Sequence, residues 1–357
     1  MDLLQIMRAN DLEQVVAVND PATGLLGFIV IHDTTRGPGI GGCRMVRYPS
    51  TEAALGDGVQ LARAMTRKCA LAGLNAGGAK GVFIDHPGIT DRPAMLRALG
   101  RFVESLAGRF YTSGDLGLGP ADLAHVRETT RYVAVPDPHA LDLAGATADG
   151  VVEGIRATLA ASGCGTQLND RRVAVQGLGA MGGRVATSLA AAGAKVIACD
   201  LDPARLAAFA DLPGVTLTEA DAIYDAQVDV FSPCAVSGVL NLGTIARLRC
   251  RAVVGAANNQ LADAEAGRAL FARGIRYAPD FAVNAGAVIL GATYFLEISF
   301  DPHATVRRAA ERIGETVRRI FDESDASGEP PSVVADRLAS EALVRPKSTE
   351  VMWWPVQ

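Results

Sequence analysis

The segment 172–183, RVAVQGLGAMGG, decides the fold of this 357-residue chain. Its apolar start reads as a buried strand, and the alanine-rich stretch from Ala180 onward reads as a helix. Between them, G-x-G-x-x-G is formed by Gly177, Gly179 and Gly182. The first glycine permits a tight turn, the second lets the backbone approach a pyrophosphate, and the third allows close helix–strand packing. Because the helix N-terminus also offers N–H groups to phosphates, the segment predicts a dinucleotide site rather than a plain glycine-rich turn.

The next strand, KVIACD, supports this prediction. It ends in Asp200, 18 residues after Gly182, where a carboxylate accepts hydrogen bonds from both ribose hydroxyls. Its charge repels a 2′-phosphate, which favours NAD over NADP, while Arg205 could accept that phosphate or lie over the adenine. The cofactor residues expected here are Gly177, Leu178, Gly179, Ala180, Met181, Gly182, Asp200 and Arg205.

Outward from this segment, strands and helices alternate. The predicted order is helix 147–162, strand 172–177, helix 180–193, strand 195–200, helix 202–210, strand 228–233, strand 252–257, helix 262–273 and strand 275–280. Such alternation indicates a parallel sheet covered on both faces, a Rossmann domain over residues 146–325. Residues 1–145 form a first α/β domain, and C-terminal helices over 326–357, interrupted by GEPP (328–331), return to it. The Pro-containing segment 133–146 predicts a hinge.

In the first domain, 24–32 and 81–85 read as strands, with glycine breakers at Gly77 and Gly78 before the second, and 51–69 and 91–107 read as helices.

Composition narrows the class of protein. The chain is 49% hydrophobic and 20% charged with a net charge of −5, which gives no reason to expect nucleic acid or an anionic membrane as a partner. Its six cysteines and five histidines are scattered singly, so we expect free thiols and no metal site. The N-terminal residues lack the apolar core of a signal peptide, and no stretch is long enough to span a membrane, so a cytoplasmic location is expected.

Two lysines and one aspartate stand in settings that suit catalysis. Lys68 follows an apolar helix, and Lys80 closes the glycine run LNAGGAK and leads into a buried strand. A lysine in apolar surroundings near another cation gives up its proton more readily, which suits acid–base work. Asp115 lies in a turn of small residues, TSGDLG. Each alone reads as a solvated or capping residue, but the three together indicate a catalytic group.

These segments resemble the leucine, phenylalanine and valine dehydrogenase branch of the glutamate dehydrogenase superfamily, from about residue 25 to about residue 345. The resemblance depends on the order and spacing of several short segments. They are GGCRM (41–45), MTRKCALAGLNAGGAKG (65–81), YTSGDLG (111–117), TADGV (147–151), VQGLGAMGG (175–183), FSPCA (231–235), GAANNQL (255–261) and APDFAVNAG (278–286).

The resemblance implies reversible NAD-dependent oxidative deamination of an L-amino acid to its 2-oxo acid and ammonia, in a cleft between the two domains. Lys68 would hold the α-carboxylate, Lys80 would polarise the carbonyl and position water, and Asp115 would move protons. It further implies a substrate- and oligomer-forming first domain and a homo-oligomer, dimer or octamer. The remaining substrate residues would be Gly41, Gly42, Ile40, Ser113, Asn258, Val288 and Gly291, and the remaining cofactor residues Thr147, Ala235, Val236, Ala256, Asn258 and Asn284, with Asn259 as a further neighbour.

Ile40 bears on the substrate. Glutamate-specific relatives have a lysine at this position, and a carboxylate buried beside Ile40 would lack a partner, at a cost of several kcal/mol. Where leucine-specific relatives have a branched residue, this chain has Gly291. The missing bulk predicts a larger substrate, phenylalanine or tryptophan, over leucine or valine, unless a neighbouring side chain fills the space.

The chain departs from the family pattern in four places. The hinge, HALDLAGA (139–146), is about three residues shorter than usual, Ala79 replaces a third glycine, Cys43 replaces a threonine or serine, and Arg67 replaces a neutral residue. Two alternatives therefore stay open: a catalytically silent nucleotide-binding regulator, and a biosynthetic enzyme that reduces an imine of another amine. Trp353 and Trp354 are expected to be an interface anchor or part of a disordered tail.

Overall fold

A computed structural model describes residues 2–137, 141–296 and 301–344. Some positions singled out in the sequence lie outside the described residues. They are His139 and Ala140 of the segment HALDLAGA, and Trp353 and Trp354. The chain divides into two compact units. The described parts of Met1–Asp142, Val288–Pro302 and Ala339–Gln357 form the first unit, and Leu143–Ala287 with His303–Leu338 form the second unit.

The described helices are α1 (Leu3–Ala9), α2 (Thr51–Leu71), α3 (Arg92–Ser105), α4 (Pro120–Arg127), α5 (Leu143–Ala161), α6 (Ala180–Ala191), α7 (Pro203–Phe209), α8 (Leu242–Arg247), α9 (Ala264–Ala272), α10 (Asp280–Val283), α11 (Gly286–Leu296), α12 (Pro302–Ser327) and α13 (Pro331–Leu343), with a 3-10 turn at Ala222–Asp225. The described strands are β1 (Gln14–Asp20), β2 (Leu25–Asp33), β3 (Gly39–Ile40), β4 (Cys43–Val46), β5 (Gly77–Ile84), β6 (Phe110–Tyr111), β7 (Arg172–Gln176), β8 (Lys195–Cys199), β9 (Val215–Leu217), β10 (Val230–Pro233), β11 (Ala252–Val253) and β12 (Arg276–Tyr277).

The first unit is built on a mixed sheet. Within the described residues its order is β1-β2-β5-β3-β6, and β4 pairs with β5. The β1–β2 and β2–β5 pairs are antiparallel, whereas β3 and β4 both run parallel to β5. Helix α2 packs on this sheet through buried residues that include Leu55, Val59 and Ala62. Consequently β5 lies at the centre of the sheet, and residues on it are shielded from water.

Gly77 and Gly78 lie inside β5, not before it. The prediction of two breakers followed by a strand at 81–85 is therefore wrong at its start. A Cβ on Gly77 would lie 1.8 Å from the carbonyl oxygen of Asp33, and one on Gly78 would lie 2.1 Å from the backbone nitrogen of Thr66. Glycine is needed here because neighbouring backbones approach the strand closely, not because the chain turns.

The second unit is built on a parallel sheet. Within the described residues the strand order is β12-β11-β10-β7-β8-β9, and each paired strand runs parallel to its neighbour. Its apolar core includes Ala174, Phe231, Val253 and Leu270. The chain order reverses on either side of β7, which places the β7–α6 turn at the switch point where α/β sheets bind ligands. This confirms the Rossmann architecture predicted from 172–183.

Two predicted strands are shorter in the structure. The strand expected over 252–257 ends at Val253, and the one expected over 275–280 ends at Tyr277. A Cβ on Gly255 would lie 2.2 Å from the carbonyl oxygen of Pro233, so the chain after Val253 packs tightly against the end of β10. Pro279 has no N–H to donate to a neighbouring strand, and α10 begins directly after it.

The boundaries of the two units differ from the domain boundaries predicted from the sequence. Residues 288–302, placed by sequence in the second domain, belong to the first unit, and 303–338 belong entirely to the second. Aromatic contacts explain the first difference, because Phe295 of α11 packs on Tyr111 of β6. In the second unit, α12 and α13 are joined by the ion pair Arg337–Glu323.

Candidate functional site

A buried ion pair lies at the central strand of the first sheet. Lys80, on the central strand β5, is 6% exposed, and its Nζ lies 2.7 Å from Oδ2 of Asp115. Asp115 follows Gly114, which forms a parallel bridge with Cys43 of β4. Two of the three predicted catalytic residues, 35 positions apart in sequence, therefore touch.

Asp115 is ionised in this arrangement. Burial acts to raise its pKa, but the charges and hydrogen bonds of Lys80 and Arg44 outweigh burial, so the pKa of Asp115 lies below its ordinary value. The Arg44 Nε donates to Asp115 Oδ2 over 2.9 Å. A carboxylate held in this way accepts a proton only from a group that is brought directly to it.

The predicted substrate residues Gly41 and Gly42 connect β3 and β4 directly above this pair. A Cβ on Gly41 would lie 1.7 Å from the carbonyl oxygen of Ala79, and one on Gly42 would lie 3.2 Å from the Cβ of Asp115. The two glycines thus bring the connection into contact with the residues that flank Lys80 and Asp115. Ser113 precedes the aspartate turn and donates its hydroxyl to the Ala134 carbonyl over 2.9 Å.

Lys68 lies buried near the C-terminal end of α2, the helix that packs on β5. It therefore lies inside the helix, and not after it as the sequence had indicated. Cys43, one of the departures from the family pattern, lies fully buried at the start of β4, 3.2 Å from the Thr112 hydroxyl. Burial raises the pKa of the Cys43 thiol to about 11, so this residue is a neutral packing group at physiological pH.

The predicted side-chain pocket has an aromatic border. Ile40 is paired in register with Gly78 of β5 and with Tyr111 of β6, so Ile40 and Tyr111 project from the same face of the sheet. The Tyr111 ring lies 4.8 Å from the ring of Phe295. Phe295 and Gly291 are four residues apart on α11 and therefore share a helix face. Val288, at the start of that helix, is half-buried.

In the second unit, the glycine turn has the shape that a pyrophosphate requires. Gly177 has φ +93°, and a Cβ on Gly182 would lie 1.9 Å from the carbonyl oxygen of Gly177. Gly179 is the N-cap of α6 and has no side chain to form a capping hydrogen bond. The first N–H groups of α6 are therefore not bound by a capping side chain. Leu178, Ala180 and Met181 complete the turn. These residues fit a dinucleotide.

Asp200 lies against this turn at the end of β8. Its Oδ2 accepts from the backbone N–H of Leu178 over 2.6 Å, and its Oδ1 accepts from Asp202 over 2.9 Å. Burial acts to raise the pKa of Asp200, but these N–H donors and Arg205 outweigh it and hold the pKa below its ordinary value. The Arg205 guanidinium lies 3.5 Å from Asp200 Oδ2 and would lie the same distance from a Cβ on Gly179.

A second polar group lies beyond the carboxyl ends of β10 and β11. The side chain of Asn284 is buried and donates to the Ala256 carbonyl over 3.1 Å and to Asn258 Oδ1 over 2.9 Å. Its own Oδ1 has no hydrogen-bond partner among the described residues. A buried, unpartnered amide oxygen is costly unless a ligand satisfies it.

The remaining cofactor residues lie near these groups. Thr147 of α5 accepts from the backbone N–H of Ala287 over 3.3 Å. Ala235 packs against Gly177, because a Cβ on that glycine would lie 2.8 Å from the Ala235 Cβ. Val236 follows it and is 65% exposed.

Two family models match this chain. Residues 12–132 match the Glu/Leu/Phe/Val dehydrogenase dimerisation domain, and residues 202–333 match the Glutamate/Leucine/Phenylalanine/Valine dehydrogenase domain. The chain is 39% identical over 351 residues to a phenylalanine dehydrogenase of Caldalkalibacillus thermarum (strain TA2.A1), across 96% of this chain and 94% of that protein. It is 37% identical over 353 residues to a leucine dehydrogenase of Thermoactinomyces intermedius, across 98% and 95%.

The chain belongs to the Glu/Leu/Phe/Val dehydrogenase family. The crystal structure of an L-tryptophan dehydrogenase from Nostoc punctiforme is similar to it, with a TM-score of 0.81, 35% identity and coverage of 96% of this chain and 98% of that one. It is thus an amino-acid dehydrogenase, an oxidoreductase that uses a nicotinamide cofactor. The family and fold expected from the sequence are confirmed.

Three residues of this dehydrogenase site were missed by sequence reasoning. Arg44 contacts Asp115, and its Nη1 also lies 3.0 Å from Oδ2 of Asp57, which accepts from the Tyr48 hydroxyl over 2.6 Å. Arg44 belongs to the segment GGCRM, but its distance in sequence from Asp57 and Asp115 gave no sign that it contacts them. The register of β4 beside β5 and the bridge between Cys43 and Gly114 bring Arg44 to Lys80 and Asp115.

The described residues offer neither a cluster of metal ligands nor a membrane-spanning helix. In residues 2–137, 141–296 and 301–344, no group of three or more His, Cys, Asp or Glu could hold a metal ion. No helix in that part of the chain is long and apolar enough to cross a membrane.

Proposed function

We propose that this dehydrogenase catalyses the NAD-dependent oxidative deamination of a hydrophobic L-amino acid, with phenylalanine or tryptophan favoured over leucine or valine, to its 2-oxo acid and ammonia, and the reverse reaction. The observation that carries the proposal is the buried contact of 2.7 Å between Lys80 and Asp115 beneath Gly41 and Gly42. An ammonium and a carboxylate at this distance supply both a proton donor and a proton acceptor to one substrate.

Binding of the amino acid begins at Lys68. Its ammonium forms the ion pair with the α-carboxylate, which orients the α-carbon and leaves the amine directed at Asp115. The buried position of Lys68 favours this assignment, because an ion pair is stronger where water is excluded. Ser113 and the glycine pair then border the bound backbone of the substrate.

Asp115 and Lys80 carry the proton steps. Asp115 accepts a proton from the substrate ammonium, and the freed nitrogen lone pair forms the C=N bond as the α-hydrogen leaves with its electron pair. A bound NAD would supply the acceptor for that hydride at its nicotinamide. Asp115 first releases the substrate proton to solvent. It then takes a proton from the water that Lys80 holds, as the water oxygen bonds to the iminium carbon. Asp115 passes this proton to the nitrogen, and it receives the proton of the new hydroxyl as the C–N bond breaks and the carbonyl forms. The products are a 2-oxo acid and ammonia.

The aromatic preference is supported by the border of the pocket. Ile40 offers no charge to a substrate carboxylate, which argues against glutamate. Tyr111 and Phe295 add ring surface, and Gly291 adds no side chain to the helix face that carries Phe295. Rings pack edge-to-face or offset against other rings with a gain beyond simple burial, about 0.5–1.5 kcal/mol per pair. This surface therefore suits an aromatic side chain.

NAD as the cofactor is supported by Asp200. Its carboxylate is held ionised against the glycine turn, where it repels a 2′-phosphate and accepts from ribose hydroxyls. Arg205 already pairs with Asp200 and Asp202, so its charge is partly compensated. The unpartnered Oδ1 of Asn284 would accept from the carboxamide of the nicotinamide.

A homo-oligomer, dimer or octamer, is also part of the proposal. It is supported by the match of residues 12–132 to a dimerisation domain. All six cysteines are free thiols, which suits a reducing compartment such as the cytoplasm.

The test is a kinetic panel of L-phenylalanine, L-tryptophan, L-leucine, L-valine and L-glutamate, each with NAD and with NADP, followed by reduced-cofactor absorbance. We expect kcat/KM for an aromatic substrate with NAD to exceed that for valine by at least about tenfold. A clear preference for valine would contradict the aromatic assignment. No turnover of any amino acid would contradict the proposed function itself.

A further inference from the structure

Asp115 is held by a second cation that none of the catalytic assignments uses. Arg44 of β4 donates from Nε to Asp115 Oδ2 over 2.9 Å, and Lys80 contacts the same oxygen from β5. Within the described residues, both contacts fall on Oδ2. The other oxygen, Oδ1, is therefore the one left to exchange protons with a substrate.

Arg44 is itself clamped from the opposite side. Its Nη1 donates to Asp57 of α2, at 3.0 Å to Oδ2 and 3.3 Å to Oδ1. The Tyr48 hydroxyl donates to the same carboxylate over 2.6 Å. The four residues form a chain, Tyr48–Asp57–Arg44–Asp115, that ties α2 and β4 to the catalytic aspartate. The side chains of Arg44 and Asp57 are only 16% and 29% exposed, so solvent screens these contacts incompletely.

A guanidinium does something here that an ammonium cannot. An arginine stays charged at every accessible pH. Arg44 therefore provides a constant positive charge beside Asp115. Its rigid planar fork also fixes the carboxylate plane more tightly than a flexible ammonium does.

Asp57 in turn balances this charge. Burial acts to lower the pKa of Arg44, but Asp115 and Asp57 outweigh it and raise the pKa. The groups that bear on Asp115 are thus Lys80 from β5, Arg44 and the neutral thiol of Cys43 from β4, and Asp57 from α2 behind Arg44. The contact with Asp57 therefore offsets part of the charge that Arg44 presents to Asp115.

We infer that Arg44, clamped by Asp57 and Tyr48, is a positioning residue that fixes Oδ2 of Asp115, directs Oδ1 to the substrate amine and favours the ionised carboxylate before each proton transfer. The inference rests on the proposed function, because it assigns Asp115 the proton transfers. It extends that function to three residues that act through Asp115.

The experiment is a double-mutant cycle of Arg44→Gln and Asp57→Asn, read by the pH profile of kcat/KM in the oxidative direction. Arg44→Gln removes a cation from Asp115, so the acidic limb that reports this base moves to higher pH by about one unit. Asp57→Asn removes an anion, so in the wild-type background the limb moves to lower pH. In the Arg44→Gln background, Asp57→Asn moves it no further, because Asp57 acts through Arg44.

Two further variants separate charge from geometry. Arg44→Lys keeps the charge and is expected to leave the limb in place while lowering kcat, because the fork is lost. Arg247→Gln is the matched control: Arg247 also pairs with two aspartates, Asp221 and Asp225, but in the second unit, and its removal is expected to change neither rate nor profile. Thermal unfolding of each variant checks that it folds.

A rate loss in Arg44→Gln without movement of the acidic limb would show a structural effect only and would overturn the inference. So would equal shifts from Asp57→Asn in both backgrounds. A readout independent of turnover keeps these outcomes apart from failure of the proposed function. In protein labelled with [4-13C]aspartate, the resonance absent from Asp115→Asn titrates at higher pH in Arg44→Gln than in wild type if the inference holds.

Discussion

The two units hold their ligands in different ways. The second unit carries its phosphate- and ribose-binding groups in one short stretch of chain, because the turn from Gly177 to Gly182 supplies the backbone shape and Asp200 follows one strand later. The first unit assembles its site from β4, β5 and the turn after β6, and its charged groups are far apart in sequence. A site formed by the backbone of one short segment can be predicted from that segment alone. A site formed by paired charges depends on strand register, which a short segment does not reveal.

The largest effect that tests this contrast is expected from Lys80→Met. Loss of the ammonium removes the proton donor and leaves Asp115 with one cation, so kcat should fall by about 10³-fold. NAD affinity, measured by fluorescence titration, should stay within about twofold, because the glycine turn belongs to the other unit.

The matched control for Lys80→Met is Lys195→Met, on an exposed lysine that pairs with Asp170. It should leave both quantities unchanged. If Lys80→Met lowered NAD affinity and Lys195→Met did not, Lys80 would also contribute to NAD binding, and this would contradict the contrast between the two units.

A smaller effect is expected from Gly291→Leu in the side-chain pocket. A branched side chain on the helix face that carries Phe295 takes up space, so kcat/KM for phenylalanine relative to valine should drop by roughly 30-fold, given about 1–3 kcal/mol per methylene in an apolar pocket. An unchanged ratio would place the substrate side chain elsewhere.

Asp200→Ser tests the charge contribution in the second unit. Removal of the carboxylate ends its repulsion of a 2′-phosphate and leaves Arg205 unpaired at that point, so kcat/KM with NADP should rise relative to NAD by about tenfold, or about 1.4 kcal/mol. Amino-acid KM should not move. A fall in kcat/KM with both NAD and NADP, and no change in the ratio of the two values, would show that Asp200 only supports the glycine turn.

The smallest expected effect is on stability. The folded-state pKa of Asp115 lies below its ordinary value of 3.8. Its ionised form therefore stabilises the protein at pH above about 4, and this contribution is lost as pH falls through the lower folded value. In urea unfolding, the gap between wild type and Asp115→Asn should be constant from pH 7 to pH 5 and narrow at lower pH. A gap independent of pH would contradict an ionised, paired Asp115.

The nucleotide-binding turn could be predicted from sequence because strand, glycines and helix occur within a dozen residues and each glycine has a local steric reason. The proximity of Lys80 and Asp115 was predicted through family resemblance, not from spacing. Arg44 and Asp57 could not be found in this way. They lie 13 residues apart, on a strand and a helix, and Arg44 and Asp115 lie 71 residues apart.

The start of β5 was predicted wrongly because of its glycines. Gly77 and Gly78 look like chain breakers, yet they continue the strand because Asp33 and Thr66 approach it too closely for any side chain. That constraint is tertiary and leaves no local pattern. The same applies to α11, whose place in the first unit depends on ring contacts with β6 rather than on its own sequence.

The most direct measurement of the central claim follows nitrogen. Phenylpyruvate is incubated with NADH and 15N-ammonium, and the product is analysed by mass spectrometry while NADH oxidation is recorded. If Lys80 and Asp115 exchange ammonia and water at the α-carbon, one 15N-labelled L-phenylalanine forms for each NADH oxidised. NADH oxidation that yields the 2-hydroxy acid, or that requires a primary amine in place of ammonium, would contradict it.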